Sequence, residues 1–253
     1  MIKAVVNADD FGISESVNNA IIQCFQKRII SNTTLMVNMD AADDAVELAE
    51  KYGFYDRVGI HLNLTAGYPL TDGIRRSPLF CDADGRFNAK FHLSTKSRLR
   101  LSSEDSRYVY AEVEAQLRRY LEYGLPEKHL DSHHHVHTDM SVWKMLKPLL
   151  KKYNFRTVRI GRNMYDKASI FNVLYKKNLN AQINRAGYAC SDYFGSFEDF
   201  KNYSSTIGKN DKIEIMLHPM YSEDGKLMDT DIPIERISRY FEEKRVIVEA
   251  ISL

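Results

Sequence analysis

Short runs of consecutive apolar, often β-branched residues alternate along the chain with longer segments whose apolar positions recur every three or four residues. The strand-like runs are IKAVV (2–6), TTLMVN (33–38), VGIHLNL (58–64), KHLDSH (128–133), TVRI (157–160), ACSDYF (189–194), KIEIML (212–217) and RVIVEAI (245–251). Several are apolar at adjacent positions, the pattern of strands covered on both faces. The helix-like segments are 14–28, 40–52, 104–123, 139–153, 170–186 and 233–244. The first opens at Ser14, an N-cap residue, and places Val17, Ala20, Ile21, Cys24 and Phe25 on one face. The last has Pro233 near its first turn.

Such alternation predicts an α/β fold with a parallel sheet. About eight strands in 253 residues predict closure into a (β/α) barrel, irregular or incomplete, with an open doubly wound sheet as runner-up. Two segments break the rhythm. Residues 65–103 hold Gly67, Pro69, Gly73, Pro78 and Gly85 and are too long for an ordinary connection; loops of that length act as lids or substrate platforms. Residues 219–232 form a shorter acidic example. Residues 1–253 therefore read as a single catalytic domain with a loop insertion at about 65–103.

Charge adds an exclusion. Thirty-five lysines and arginines face 34 acidic residues, so the one-sided field of a general nucleic-acid or membrane-surface binder is missing. Cys24, Cys81 and Cys190 are isolated, with no CxxC pair. No run approaches the roughly 20 apolar residues of a membrane span, and the first residues lack a signal-peptide pattern. A soluble, cytoplasmic protein with a small, sugar-like substrate is expected.

Four polar clusters fall at the carboxyl ends of the predicted strands, where chemistry collects in parallel α/β folds. Asp9 and Asp10 follow IKAVV; His61 and Asn63 end VGIHLNL; DSHHHVH spans 131–137; His218 follows KIEIML and precedes Pro219. If DSHHHVH is extended, Asp131, His133, His135 and His137 share one face and His134 takes the other. That segment is either a hydrogen-bonded histidine cluster or a metal or acid–base site. In NADDFG, the two aspartates either cap the following helix or divide their roles, one gripping a metal while the other faces water. Gly12 permits the tight turn required. His92 and His129 read as ordinary surface or structural residues, and Trp143 as core.

The order NADDFG, HLNLT, LDSHHHVH, LHP closely resembles the YdjC-like carbohydrate deacetylases, which include chitin disaccharide (chitooligosaccharide) deacetylase, from residue 5 to about residue 221. The resemblance implies a deacetylase-like (β/α) barrel. It also implies hydrolysis of the acetamide of N-acetylglucosamine units in short chitooligosaccharides, such as diacetylchitobiose or its phosphate, with one divalent cation. By motif, Asp10, His61 and His133 would be the metal ligands, Asp9 the general base and His218 the general acid. His135 would orient a ligand or touch the substrate. The cation implied by resemblance is magnesium, while a two-histidine, one-carboxylate set also suits zinc or another transition metal.

Competing functions are a metal-dependent phosphoesterase or other amidohydrolase on the same barrel, a non-haem iron oxygenase, and an inactive carbohydrate-binding barrel. The first two-metal enzymes place an HxH pair on the first strand, where this chain has aspartates. In the insertion, Tyr68, Phe80, Phe87, Phe91 and the Arg75–Arg76 pair either stack on sugar rings and bind phosphate or simply pack and solubilise the loop. A homodimer is compatible with such an enzyme, although no residue specifies one.

Overall fold

In the computed structural model, which describes residues 2–164, 169–208 and 210–250, the apolar runs become strands. These are β1 (Ile2–Phe11), β2 (Asn32–Leu35), β3 (Val58–Leu62), β4 (His129–Ser132), β5 (Thr157–Val158), β6 (Tyr193–Ser196), β7 (Ile213–Leu217), β8 (Pro219–Tyr221), β9 (Leu227–Asp229), β10 (Ile232–Pro233) and β11 (Val246–Val248). The helices are α1 (Glu15–Gln26), α2 (Ala42–Lys51), α3 (Asp72–Arg75), α4 (Lys90–Leu93), α5 (Thr95–Leu99), α6 (Ser103–Glu122), α7 (Met140–Lys152), α8 (Ile170–Arg185), α9 (Phe197–Tyr203) and α10 (Ile234–Lys244).

The strands form one parallel path in the order β5-β4-β3-β2-β1-β7-β6. Its two edges meet only at a seam. There Thr157 bridges to Ala189, with Val158 N–H donating to the Ala189 carbonyl at 3.2 Å. The fold is thus an irregular, incompletely closed (β/α) barrel. The eighth predicted strand is not a further stave. Val246–Val248 pairs with Ile2–Ala4, below the stretch Asn7–Phe11 that pairs with β2. Of the run 245–251, Ile251 lies outside the described residues.

β1 is longer than its apolar run because its polar residues find buried partners. The Asn7 amide donates to Asp9 Oδ1 at 2.9 Å and to Thr34 Oγ1 at 3.1 Å, so burial costs it no unpaired N–H. Helices cover the outside. Ser14 caps α1 by accepting from Val17 N–H, and α1 buries Ala20, Ile21, Ile22 and Cys24. Each fully buried large aliphatic side chain contributes about 1.5–3 kcal/mol by leaving water. Pro233 sits at the N-cap of α10 rather than inside its first turn, where its missing N–H costs nothing.

The 65–103 insertion is folded. Phe80 and Phe91 stack at 4.7 Å and, with Phe87, are buried as an extension of the main hydrophobic core. These aromatics pack the insertion and offer no face to a ligand; Tyr68 alone stays exposed, with the Arg86 guanidinium 4.9 Å from its ring. Glu112 of α6 fastens the insertion by accepting from Leu70 N–H (3.0 Å), Thr71 N–H (2.8 Å) and the Thr71 hydroxyl (2.7 Å). Residues 219–233 form a small antiparallel sheet, β10-β9-β8. No helix among the described residues is long and apolar enough to cross a membrane.

Candidate active site

The two adjacent aspartates diverge because the backbone turns left-handed at Asp10 (φ 67°) and again at Gly12 (φ 88°). A Cβ at Gly12 would lie 3.1 Å from the Ala42 backbone, so only glycine lets α2 approach this closely. Asp9 then points into the barrel, 2% exposed, and Asp10 toward the mouth. Neither aspartate caps α1, because Ser14 does.

Asp10 Oδ1 lies 2.7 Å from His133 Nδ1 and 3.1 Å from His61 Nε2. Donor atoms held at roughly 2.0–2.1 Å around one ion are themselves about 3 Å apart, so the three side chains fit a single cation. The other nitrogen of His61, Nδ1, donates to Asp131 Oδ1 at 2.7 Å, the outer carboxylate contact that fixes a ligating imidazole. Burial alone would depress His61, but the Asp131 carboxylate with Asp10 and Asp9 outweighs it and pushes the imidazole up to about 10. Burial opposes ionisation of Asp10, yet His133 and His61 hold its carboxyl well below the usual range. Burial likewise opposes ionisation of Asp131, which Arg159 and His61 hold low.

Arg159 organises the floor of the site, and sequence reading missed it. Fully buried, it grips Asp9 with two nitrogens (2.7 and 2.8 Å), reaches Asp131 Oδ2 at 2.7 Å and donates from Nε to Glu214 Oε1 at 2.6 Å. Its guanidinium lies 4.6 Å from the Phe194 ring. The one available signal was an arginine inside the strand-like run TVRI, since a buried guanidinium must be surrounded by acceptors. Asp9, His61 and Asp131 also lie close enough to share an ion, but the guanidinium already sits against both carboxylates there.

His218 directly follows β7, its backbone N–H donating to buried Asp229 Oδ1 at 2.7 Å. Its Nε2 stands 3.9 Å from Asp9 Oδ2, and its side chain is 41% exposed.

The expected alternation along DSHHHVH does not hold. His134 and His135 are both left-handed (φ 50° and 56°), and a turn replaces the extended chain, so Asp131, His133, His135 and His137 do not share a face. His133 meets Asp10. His134 is exposed, with Nδ1 3.0 Å from Thr65 Oγ1 and its ring stacked on His92 at 4.8 Å. His135 sets its ring edge against Phe194 at 5.6 Å. Buried His137 donates from Nε2 to the Arg159 carbonyl at 2.9 Å and accepts at Nδ1 from the Ser132 hydroxyl; burial drives it down to about 4. His92, read as a surface or structural residue, stacks on His134 from the insertion. His129 stays structural, buried with Nδ1 3.0 Å from Thr157 Oγ1.

Residues 3–246 match the family model described as YdjC-like protein. The chain is 34% identical over 223 residues to a carbohydrate deacetylase of Halalkalibacterium halodurans, covering 88% of this chain and 86% of the relative. It is 30% identical over 245 residues to a carbohydrate deacetylase of Geobacillus stearothermophilus, covering 95% and 85%. In fold it is similar to a solved Enterococcus faecalis structure named as a cellobiose-phosphate cleavage protein, with a TM-score of 0.74, 20% identity and coverage of 98% and 97%.

Proposed function

The chain belongs to the YdjC-like protein family, and on that footing we propose that it is a carbohydrate deacetylase releasing acetate from N-acetylglucosamine units of short chitooligosaccharides with one divalent cation. The observation that carries this reading is the convergence of Asp10, His61 and His133 beside a separately anchored carboxylate, Asp9. In this reading those three residues hold the cation, magnesium by family resemblance, with zinc or another transition metal equally suited to two imidazoles. A divalent cation bound there supplies the charge that acidifies water and polarises the acetyl oxygen.

The protein's own groups handle the protons. Asp9 Oδ1 accepts from Arg159 and Asn7, whereas Oδ2, among the described residues, accepts from Arg159 alone. Oδ2, the oxygen near His218, keeps a lone pair with which to take a proton from the attacking water. Arg159 fixes the carboxylate plane through its two-nitrogen contact. His218 gives a proton to the amine nitrogen as the carbon–nitrogen bond breaks. His135, packed on the ring that supports Arg159, orients this floor or touches the substrate.

The test is acetate release from diacetylchitobiose and its phosphate with added divalent cation. Loss of turnover on chelation and its return with metal are expected. Chelator-insensitive turnover, or none with any acetylated sugar, would refute the reading.

A further inference from the structure

We infer that His134, oriented by Thr65 and backed by His92, is a specificity-determining residue that binds a neutral hydroxyl of the sugar. The inference rests on the deacetylase reading for its substrate and on the geometry of the mouth for its residues.

The backbone is the first indication. His134 (φ 50°, ψ 22°) and His135 (φ 56°, ψ 29°) are consecutive left-handed residues, and neither is glycine. L side chains disfavour that region, and such strain persists only where surrounding contacts impose it. Here the Thr138 hydroxyl donates to the His135 carbonyl at 2.7 Å, and His137 N–H donates to Ser132 Oγ at 2.9 Å. The turn throws the His134 ring out to the mouth, its centroid 4.2 Å from that of His133. An exposed ring gains little from burial, so packing does not account for a backbone bent to present it.

The second indication is the hydrogen-bond inventory. The Thr65 hydroxyl lies 3.0 Å from His134 Nδ1 and 3.4 Å from Asn63 Oδ1, and it has one proton to give. If it donates to His134, the imidazole carries its proton on Nε2. If it donates to Asn63, His134 Nδ1–H donates to Thr65 and Nε2 is an acceptor. Nε2 has no protein hydrogen-bond partner among the described residues in either case. A sugar hydroxyl, donor and acceptor at once, satisfies both arrangements; an ionised phosphate, which only accepts, satisfies one.

The third is position. Thr65 and His134 follow β3 and β4, whereas His218 follows β7, on the far side of β1. A sugar laid across the mouth meets the proton donor on one flank and this imidazole on the other. His92 stacks on His134 with 27° between ring planes and so stops it from swinging away.

The experiment compares wild type with His134→Gly, which keeps the left-handed backbone, and with Thr65→Val, which removes only the orienting hydroxyl. All are loaded with the same cation. KM and kcat for diacetylchitobiose are measured, together with binding of cellobiose, a neutral disaccharide with no acetyl group to lose. His134→Gly is expected to raise KM and the cellobiose Kd roughly tenfold, about one hydrogen bond to a ligand, while kcat and cation affinity change less than threefold. Thr65→Val should move both in the same direction by a smaller factor. Equal cellobiose affinity in wild type and His134→Gly would overturn the inference, as would a fall in cation affinity matching the rise in KM. Absence of acetate release by wild type would refute the deacetylase reading, and a weakened cellobiose affinity in His134→Gly would still support the hydroxyl contact.

Discussion

Arg159 replaces its lost hydration with three carboxylates and one aromatic face, so it is stable only as a set with Asp9, Asp131 and Glu214. Arg159→Leu would strand three negative groups in the barrel and is expected to lower stability by about 3–5 kcal/mol, read by urea unfolding. Asp9→Asn keeps the shape and the Arg159 contact through one oxygen. It is expected to cut kcat by roughly 10²–10⁴ while a cation titration remains close to wild type. Loss of the cation in that variant would mean that Asp9, not Asp10, is the ligand. At this scale the sequence is legible wherever a polar residue ends an apolar strand, as for Asp9, Asp10, His61 and His218. It is silent on the turn at His134 and His135, because non-glycine residues carry no mark of a positive φ. Arg159, just after β5, went unread because a single letter does not reveal the acceptors that other strands bring.

The short helices α3, α4, α5 and α9 were not predicted, whereas the long ones were legible where they bury a stripe that repeats with the helical period, as in α6, predicted as 104–123 and spanning Ser103–Glu122. Strands were less so. β1 runs through NADDF on polar contacts to β2 and β4 that no local pattern encodes, and the run at 189–194 pairs fully only from Tyr193. The insertion read as a loop because its glycines and prolines are visible, whereas the mutual burial of its phenylalanines is not. Glu112 is its fastening. Glu112→Ala would leave the Leu70 and Thr71 amides without their acceptor, at about 1–3 kcal/mol per buried group. Limited proteolysis should then cut within 65–103 at least tenfold faster, while the barrel survives; unchanged cutting would show that the insertion is held elsewhere.

For the whole molecule, a cation held by Asp10, His61 and His133 would compete with the proton on His61. In the metal-free chain the His61 pKa is pushed up to about 10 from an ordinary 6.5, with burial opposing and Asp131, Asp10 and Asp9 prevailing. A raised folded-state pKa contributes stability that is complete below about pH 6.5 and is lost as pH rises toward 10. Cation binding must expel that proton, so its affinity runs the other way and climbs with pH. Metal-free protein should therefore melt at progressively lower temperature above pH 6.5, while the stabilisation on adding cation grows, reaching about 2.7 kcal/mol at a hundredfold excess over Kd. Scanning calorimetry at several pH values checks both slopes, and a cation-induced stabilisation that shrinks with rising pH would contradict the assignment. The alternation of strands and helices made the barrel legible. Its seam and the placement of β11 were not, since closure depends on how far seven twisted strands curl.

The order β5-β4-β3-β2-β1-β7-β6 also divides the labour along the polypeptide. Asp10, His61 and His133, on or directly after β1, β3 and β4, all emerge from the ribosome before Arg159 and His218. A nascent chain of little more than half its length thus already owns the three groups that would grip a cation, and the later half would add the clamp on Asp9 and the proposed acid.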